Sequence, residues 1–266
     1  MATRFHKMHG LGNDFVILDA REEAVEPTEA QRRLLCNRHR GVGCDQLIRL
    51  RGSASADLAM DIWNADGKPA EACGNATRCV AALTGATRIE TVGGLLEAEA
   101  VGEEVSVTLP PPRFEWNAIP IADPVDTAPL PMGWGPFERP DAVNVGNPHL
   151  VFFVEDAEAM PLGEHGAQIE NDPAFPDRIN VNVASIDGKS LELRTFERGV
   201  GLTQACGTGA CATAVAAIRR KLVTSPVKVQ MEGGSLTIAW SPGERIVMRG
   251  AATHVFSGEI DLEALA

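Results

Sequence analysis

The sequence predicts an α/β (α+β) chain of two similar, pseudo-twofold-related domains, each a mostly antiparallel, barrel-like β sheet around one central helix. Three observations carry this expectation. Short apolar runs of strand length dominate the 266 residues, only two long helical patterns occur, and those two patterns belong to an internal repeat.

Taken from the N-terminus, strand-like runs fall at 15–18, 46–50, 105–109, 150–154, 180–183, 191–195, 227–230 and 236–240. Many alternate at period two, as half-buried strands do. The two helical patterns cover 73 to about 84 and 207 to about 222, both rich in alanine. Residues 110–140 hold nine of the 17 prolines. Proline fixes φ and removes a ladder donor, so this stretch reads as a connection between domains. The expected domains are 1–115, completed by a C-terminal strand at about 256–266 and carrying Cys73, and 116–255, carrying Cys206.

The repeat is visible residue by residue. Ala72-Cys-Gly-Asn75 parallels Ala205-Cys-Gly-Thr208, with the cysteines 133 positions apart. Asn13 and Asn147 both precede an apolar strand at an offset of 134, as Gln46 and Asn180 do. Asn64 falls opposite Glu197 at 133. Four coincidences at nearly one offset point to a duplication.

Composition narrows the function. Hydrophobic residues make up 44% and charged residues 23%, which is ordinary globular usage and excludes disorder, collagen and coiled coil. Lys and Arg total 24 against 36 Asp and Glu, a net charge of −12, which argues against nucleic acid and anionic membrane as partners. The first nine residues lack the apolar stretch of a signal peptide. The most apolar run, 209–218, is about half a membrane crossing. A cytoplasmic protein with reduced thiols is expected. The six cysteines lack zinc-ribbon spacing and the six histidines include no HExxH, so no metal is expected.

The chemistry is expected at the two helix starts. A helix N-terminus presents unpaired amides and the positive end of its dipole. A thiol there is expected to ionise more readily, and the amides at Gly74-Asn75 and Gly207-Thr208 suit a carboxylate. If the halves face each other, Cys73 and Cys206 flank one α-carbon. One thiolate then removes the proton and the opposite thiol returns one, with the amides stabilising the developing charge. Cys36, Cys44, Cys79 and Cys211 read as small buried apolar residues. Asp14, Asp45 and Asp66 read as turn anchors, and Lys68 and Arg78 as solvated or helix-supporting.

Eight segments together resemble diaminopimelate epimerase: Met8-His-Gly-Leu-Gly-Asn-Asp-Phe15, Gly41-Val-Gly-Cys-Asp-Gln46, Asn64-Ala-Asp-Gly67, Ala72-Cys-Gly-Asn75, Gly146-Asn-Pro-His149, Arg178-Ile-Asn180, Glu197-Arg-Gly199 and Ala205-Cys-Gly-Thr-Gly209. The resemblance spans nearly the whole chain in the family's order. It implies an active site in the interdomain cleft and interconversion of LL- and meso-2,6-diaminopimelate, in lysine and peptidoglycan precursor synthesis. It also implies a cofactor-independent, PLP-independent isomerase with no metal, and a homodimer. By the same resemblance Cys73 and Cys206 are the acid/base pair, and Gly74, Asn75, Gly207 and Thr208 the carboxylate cradle. Asn13, Gln46, Asn64, Asn147, Asn180, Glu197 and Arg198 match substrate-binding positions. His149 is expected either to line the cleft and orient a thiol or simply to pack. Leu202 stands where the family often has Glu, and the chain has no tyrosine.

Two other kinds of function compete. A proline or hydroxyproline racemase-like enzyme also uses two cysteines, but its first motif usually carries Cys-Gly-His where this chain has Cys73-Gly74-Asn75. A cysteine hydrolase built on Cys206 and His149, or a non-catalytic thiol protein, leaves Cys73 and the duplication unexplained.

Overall fold

The computed structural model describes residues 2–23, 25–70 and 73–265. Ala72, which opens one repeat motif, lies outside the described residues. The chain forms two compact units, Met1–Val107 with Gly250–Ala266, and Thr108–Arg249. Both boundaries fall earlier in the chain than the breaks expected at 115 and 255.

In the first unit the elements run β1 (Ala2–Gly10), β2 (Asn13–Asp19), α1 (Glu29–Cys36), β3 (Gln46–Arg51), β4 (Leu58–Asn64), β5 (Pro69–Ala70), α2 (Gly74–Thr84), β6 (Arg88–Thr91), β7 (Gly94–Val101) and the first part of β8 (Glu104–Leu109). Strands β2 and β3 are parallel, with Phe15 opposite Gln46, and β3 and β4 are antiparallel, with Gln46 opposite Asn64. Strands β4 and β6 are again parallel, and β6 and β7 antiparallel. Parallel neighbours need a crossover, and α1 and α2 supply one each.

The second unit repeats this order. It holds β9 (Gly133–Trp134), β10 (Phe137–Glu138), β11 (Asp141–Asn144), β12 (Pro148–Phe153), α3 (Leu162–Glu170), β13 (Asn180–Asp187), β14 (Ser190–Glu197), β15 (Gly201–Thr203), α4 (Gly207–Arg219), β16 (Val227–Met231), β17 (Gly234–Ala239) and most of β18 (Ile246–Ala251). Strands β12 and β13 are parallel with His149 opposite Asn180, β13 and β14 antiparallel, β14 and β16 parallel, and β16 and β17 antiparallel. Each unit therefore carries a mixed sheet in which antiparallel pairs predominate. The chain ends in the first unit, where β19 (Thr253–Asp261) pairs antiparallel with β1.

The alanine-rich helices are buried for a simple reason. Small side chains let a helix approach a sheet closely on every side, and α4 is covered almost continuously from Gly209 to Ala217. Gly85 closes α2 in the left-handed region, at φ 73°, which glycine adopts without strain.

Two expectations need correction. Residues 110–140 are not a loose connection. Ile119, Ile121, Leu130, Trp134 and Phe137 bury against Leu150, Phe152, Ile169 and Val181, forming the apolar cluster outside β12 and β13. Full burial of such side chains contributes roughly 1.5–3 kcal/mol each, which outweighs the broken pairing. Helices α1 and α3 were also absent from the sequence reading. No helix among the described residues is long and apolar enough to cross a membrane.

Candidate active site

In each unit the predicted residues gather at one end of the sheet. In the first unit, Asn13 opens β2, Gln46 opens β3, Asn64 closes antiparallel β4, and α2 starts at Gly74. Cys73 is the N-cap residue, with extended backbone (φ −145°, ψ 113°). Its Sγ donates to Asn13 Oδ1 at 3.6 Å, and the same oxygen accepts from Asn75 Nδ2 at 3.2 Å. Asn13 Nδ2 in turn donates to Asp45 Oδ2 at 3.1 Å. Beside this group Gln46 Nε2 donates to Asn64 Oδ1 at 2.9 Å, while Gln46 Oε1 is buried without a hydrogen-bond partner.

Of the two roles expected for Arg78, the helix-supporting one fits and the solvated one does not. Its side chain is fully buried, not solvated, and its guanidinium donates to Asn75 Oδ1 at 2.7 Å and to Ala251 O at 3.3 Å. It fixes which way the Asn75 amide points, and so which atom Asn75 offers to Asn13. Asp14 likewise does more than anchor a turn. It accepts a bidentate pair from Arg38, at 2.9 and 2.8 Å, and an ion pair from Lys7 at 2.5 Å. Burial alone pushes the Asp14 carboxyl up, but Arg38 and Lys7 outweigh it and hold the group well below the usual carboxylate range. Lys68 is exposed, 3.9 Å from Asp66.

The second unit builds the matching end from Asn147 before β12, Asn180 at the start of β13, Glu197 at the end of β14, and the start of α4. Cys206 is again the N-cap, and its Sγ accepts from the Gly209 N–H at 3.3 Å. Thr208 Oγ1 lies 3.6 Å from the sulfur and accepts from Asn147 Nδ2 at 3.3 Å. Asn147 Oδ1 is 2.9 Å from His149 Nε2. Thr203 Oγ1 donates to Glu197 Oε1 at 2.6 Å. Asn180 turns its amide onto backbone, donating to Pro148 O at 2.8 Å and accepting from the Arg198 N–H at 3.0 Å, so it braces the turn that carries Arg198. The Arg198 guanidinium reaches Asp177 O at 2.9 Å.

The expectation of easier ionisation at a helix start fails at Cys206. Burial, followed by the neighbouring Glu197 carboxylate, pushes this thiol well above its ordinary range, against the opposing pull of Thr208 and the Gly209 N–H. Desolvation wins because Cys206 is only 5% exposed. Of the two expectations for His149, burial favours packing. It is fully buried, and desolvation together with Arg198 lowers it to about 3, so the ring is neutral at physiological pH. Asn182 and Thr195, which sequence reading missed, lie behind it. Cys79 and Cys211 sit inside their helices, the former pushed up to about 12 by burial.

In both units the first-turn amides, at Gly74-Asn75 and Gly207-Thr208, precede the first acceptor their own helix can offer. The earliest intrahelical bonds run from Thr77 to Cys73 O and from Ala210 to Cys206 O. Each half therefore combines a sulfur, free amide donors and oriented carboxamides.

Comparison with known proteins adds the relationship. The family model for diaminopimelate epimerase matches residues 5–114 and 141–255. The chain belongs to the diaminopimelate epimerase family. The unmatched stretch between those segments is most of the proline-rich layer. A diaminopimelate epimerase of Rhizorhabdus wittichii is 60% identical over 99% of this chain and 97% of its own length. One of Sphingopyxis alaskensis is 59% identical over 98% of each. Among solved structures, a hydroxyproline epimerase from Agrobacterium vitis has a TM-score of 0.68, covering 97% of this chain and 91% of that one. At 15% identity this last likeness concerns the fold.

Proposed function

We propose that the protein converts LL-2,6-diaminopimelate to the meso isomer by a two-base, cofactor-independent inversion of one α-carbon. The observation that carries this reading is the matched pair of N-cap cysteines, each beside free helix amides, in a member of this family. Inversion requires a base on one face of the carbon and an acid on the other. Cys206, held as a thiol by burial and Glu197, suits the donor, so Cys73 takes the base's role against the LL substrate once the proton it directs at Asn13 Oδ1 has left. The amides of Gly74, Asn75, Gly207 and Thr208 receive the α-carboxylate and the charge that builds on it as the proton leaves.

The remaining residues read the substrate's second amino-acid end. The unpartnered Oε1 of Gln46 and the Asn64 amide supply acceptors for an ammonium, and Arg198 supplies a guanidinium for the far carboxylate. Asn13 holds the Cys73 sulfur, Asn147 reaches the Cys206 sulfur through Thr208, and Asn180 holds the Arg198 turn. His149 acts through Asn147. The product feeds lysine and peptidoglycan precursor synthesis, in the cytoplasm, where six free cysteines are at home. A homodimer accompanies this reading, with Val255 and Phe256 exposed on β19 as apolar surface for it. The net charge of −12 favours neither nucleic acid nor an anionic membrane.

Chromatographic resolution of isomers tests the assignment. Wild-type protein should form meso-diaminopimelate from the LL isomer and leave L-proline unchanged. Cys73→Ser and Cys206→Ser should each reduce turnover by at least about 10²-fold while retaining the wild-type circular dichroism. Racemisation of L-proline, or full turnover in either variant, would contradict it.

A further inference from the structure

The duplication supplies an internal control for buried polar residues. Where the first unit carries Phe15, Ile48 and Ile62, the second carries His149, Asn182 and Thr195 at the same register positions. All six are buried. The fold therefore accepts an apolar trio here, and a polar trio is expensive unless every group is paired. In the second unit they are paired, and the pairing has a direction.

Leu150 O can only accept, so Asn182 must turn its Nδ2 toward it, at 2.8 Å. The same nitrogen lies 3.1 Å from His149 Nδ1, which becomes an acceptor. Thr195 Oγ1 completes the carboxamide by donating to Asn182 Oδ1 at 3.0 Å. With Nδ1 accepting, the neutral ring carries its proton on Nε2 and donates to Asn147 Oδ1. That leaves Asn147 Nδ2 to donate to Thr208 Oγ1, and the Thr208 hydroxyl proton free to point at the Cys206 sulfur. A second route runs through packing. A Cβ on Gly209 would sit 2.6 Å from Asn182 Oδ1 and 2.9 Å from Thr195 Oγ1, so these two side chains are the seat of the residue whose N–H donates to Cys206.

We propose that Asn182 and Thr195 are positioning residues for Cys206. They fix the Nε2–H tautomer of His149 and thereby aim the Asn147–Thr208 donor chain at the sulfur. The proposal rests on the reading of Cys206 as an acid/base group, and it concerns one half only, because the first unit orients Asn13 through Asp45, Asn75 and Arg78 instead.

The test uses the full-length protein and two independent readouts. Nitrogen-15 NMR of the resting enzyme reports the His149 tautomer, and steady-state kinetics with LL-diaminopimelate report kcat and KM. Wild type should show Nε2–H. In Asn182→Asp the carboxylate accepts from Nδ1, the ring proton moves there, Asn147 turns, and Thr208 donates away from the sulfur. Its kcat should fall about 10- to 100-fold, the effect of one lost charge-assisted hydrogen bond, with KM within about twofold. Thr195→Val should fall in the same direction and Thr195→Ser should stay near wild type. A wild-type ring protonated on Nδ1, or a folded Thr195→Val or Asn182→Asp enzyme with unchanged kcat, would overturn the proposal. An inactive wild-type enzyme that still shows the Nε2–H ring would instead sink the functional reading and leave the tautomer assignment standing.

Discussion

Cys206 and Cys73 hold the same place at the start of their helices, yet their surroundings differ in kind. Cys206 looks onto Glu197 and a neutral chain ending in His149, whereas Cys73 is held by Asn13, whose neighbours lead to Asp45 and to the buried guanidinium of Arg78. Identical residues at equivalent helix starts thus face different groups in the two units. Asp14 illustrates the same logic for stability. Its folded carboxyl is held below its unfolded value of about 3.9, so its contribution is present above that value and is lost as pH falls through it toward the folded value. Asp14→Asn should lower stability by about 1–2 kcal/mol at pH 7, allowing for solvent screening. In urea melts at pH 7 and pH 3 the gap between the two proteins should narrow at the lower pH. An equal gap at both would contradict the ion-pair account.

At the scale of elements, the chemistry is proposed at the helix starts because the sheet brings Asn13, Gln46 and Asn64 to the same end as α2, and Asn147, Asn180 and Glu197 to the same end as α4. Gly209 shows how tight the second seat is. Gly209→Ala would drive a methyl into Asn182 and Thr195, so the start of α4 must shift. The expected result is a melting temperature several degrees lower and a kcat at least about tenfold lower. A variant as stable and as active as wild type would show that the helix start has room the structure does not give it. Some of this layer was legible beforehand. The apolar runs found β2, β3, β8, β12, β13, β14, β16 and β17 but missed β1, β4, β7 and β18, and alanine content found α2 and α4. Helix α1 was missed although Thr28 and Gln31 form a capping box, because eight residues give too short a period to stand out. The proline-rich segment misled because its apolar residues are irregularly spaced, and burial there follows tertiary packing rather than any local period.

For the whole molecule, the offset of 133 or 134 residues was the most informative feature of the sequence. It paired the two cysteines, and the order of strands and helices within each unit follows it closely. What it hid was difference. Read position against position, the repeat sets Asn182 and Thr195 against Ile48 and Ile62, and that mismatch was available from sequence once the strand registers were known. Desolvation was not available, since the raised thiol of Cys206 depends on what covers it. The most direct test of the two-base claim is the fate of the α-hydrogen. LL-diaminopimelate is incubated in D2O and sampled at early conversion, and the isomers are separated for mass spectrometry. The account predicts one solvent-derived deuterium in nearly every meso molecule and almost none in the remaining LL pool. A meso product that keeps the substrate's own hydrogen would mean that a single group both removes and returns the proton, which would contradict the account.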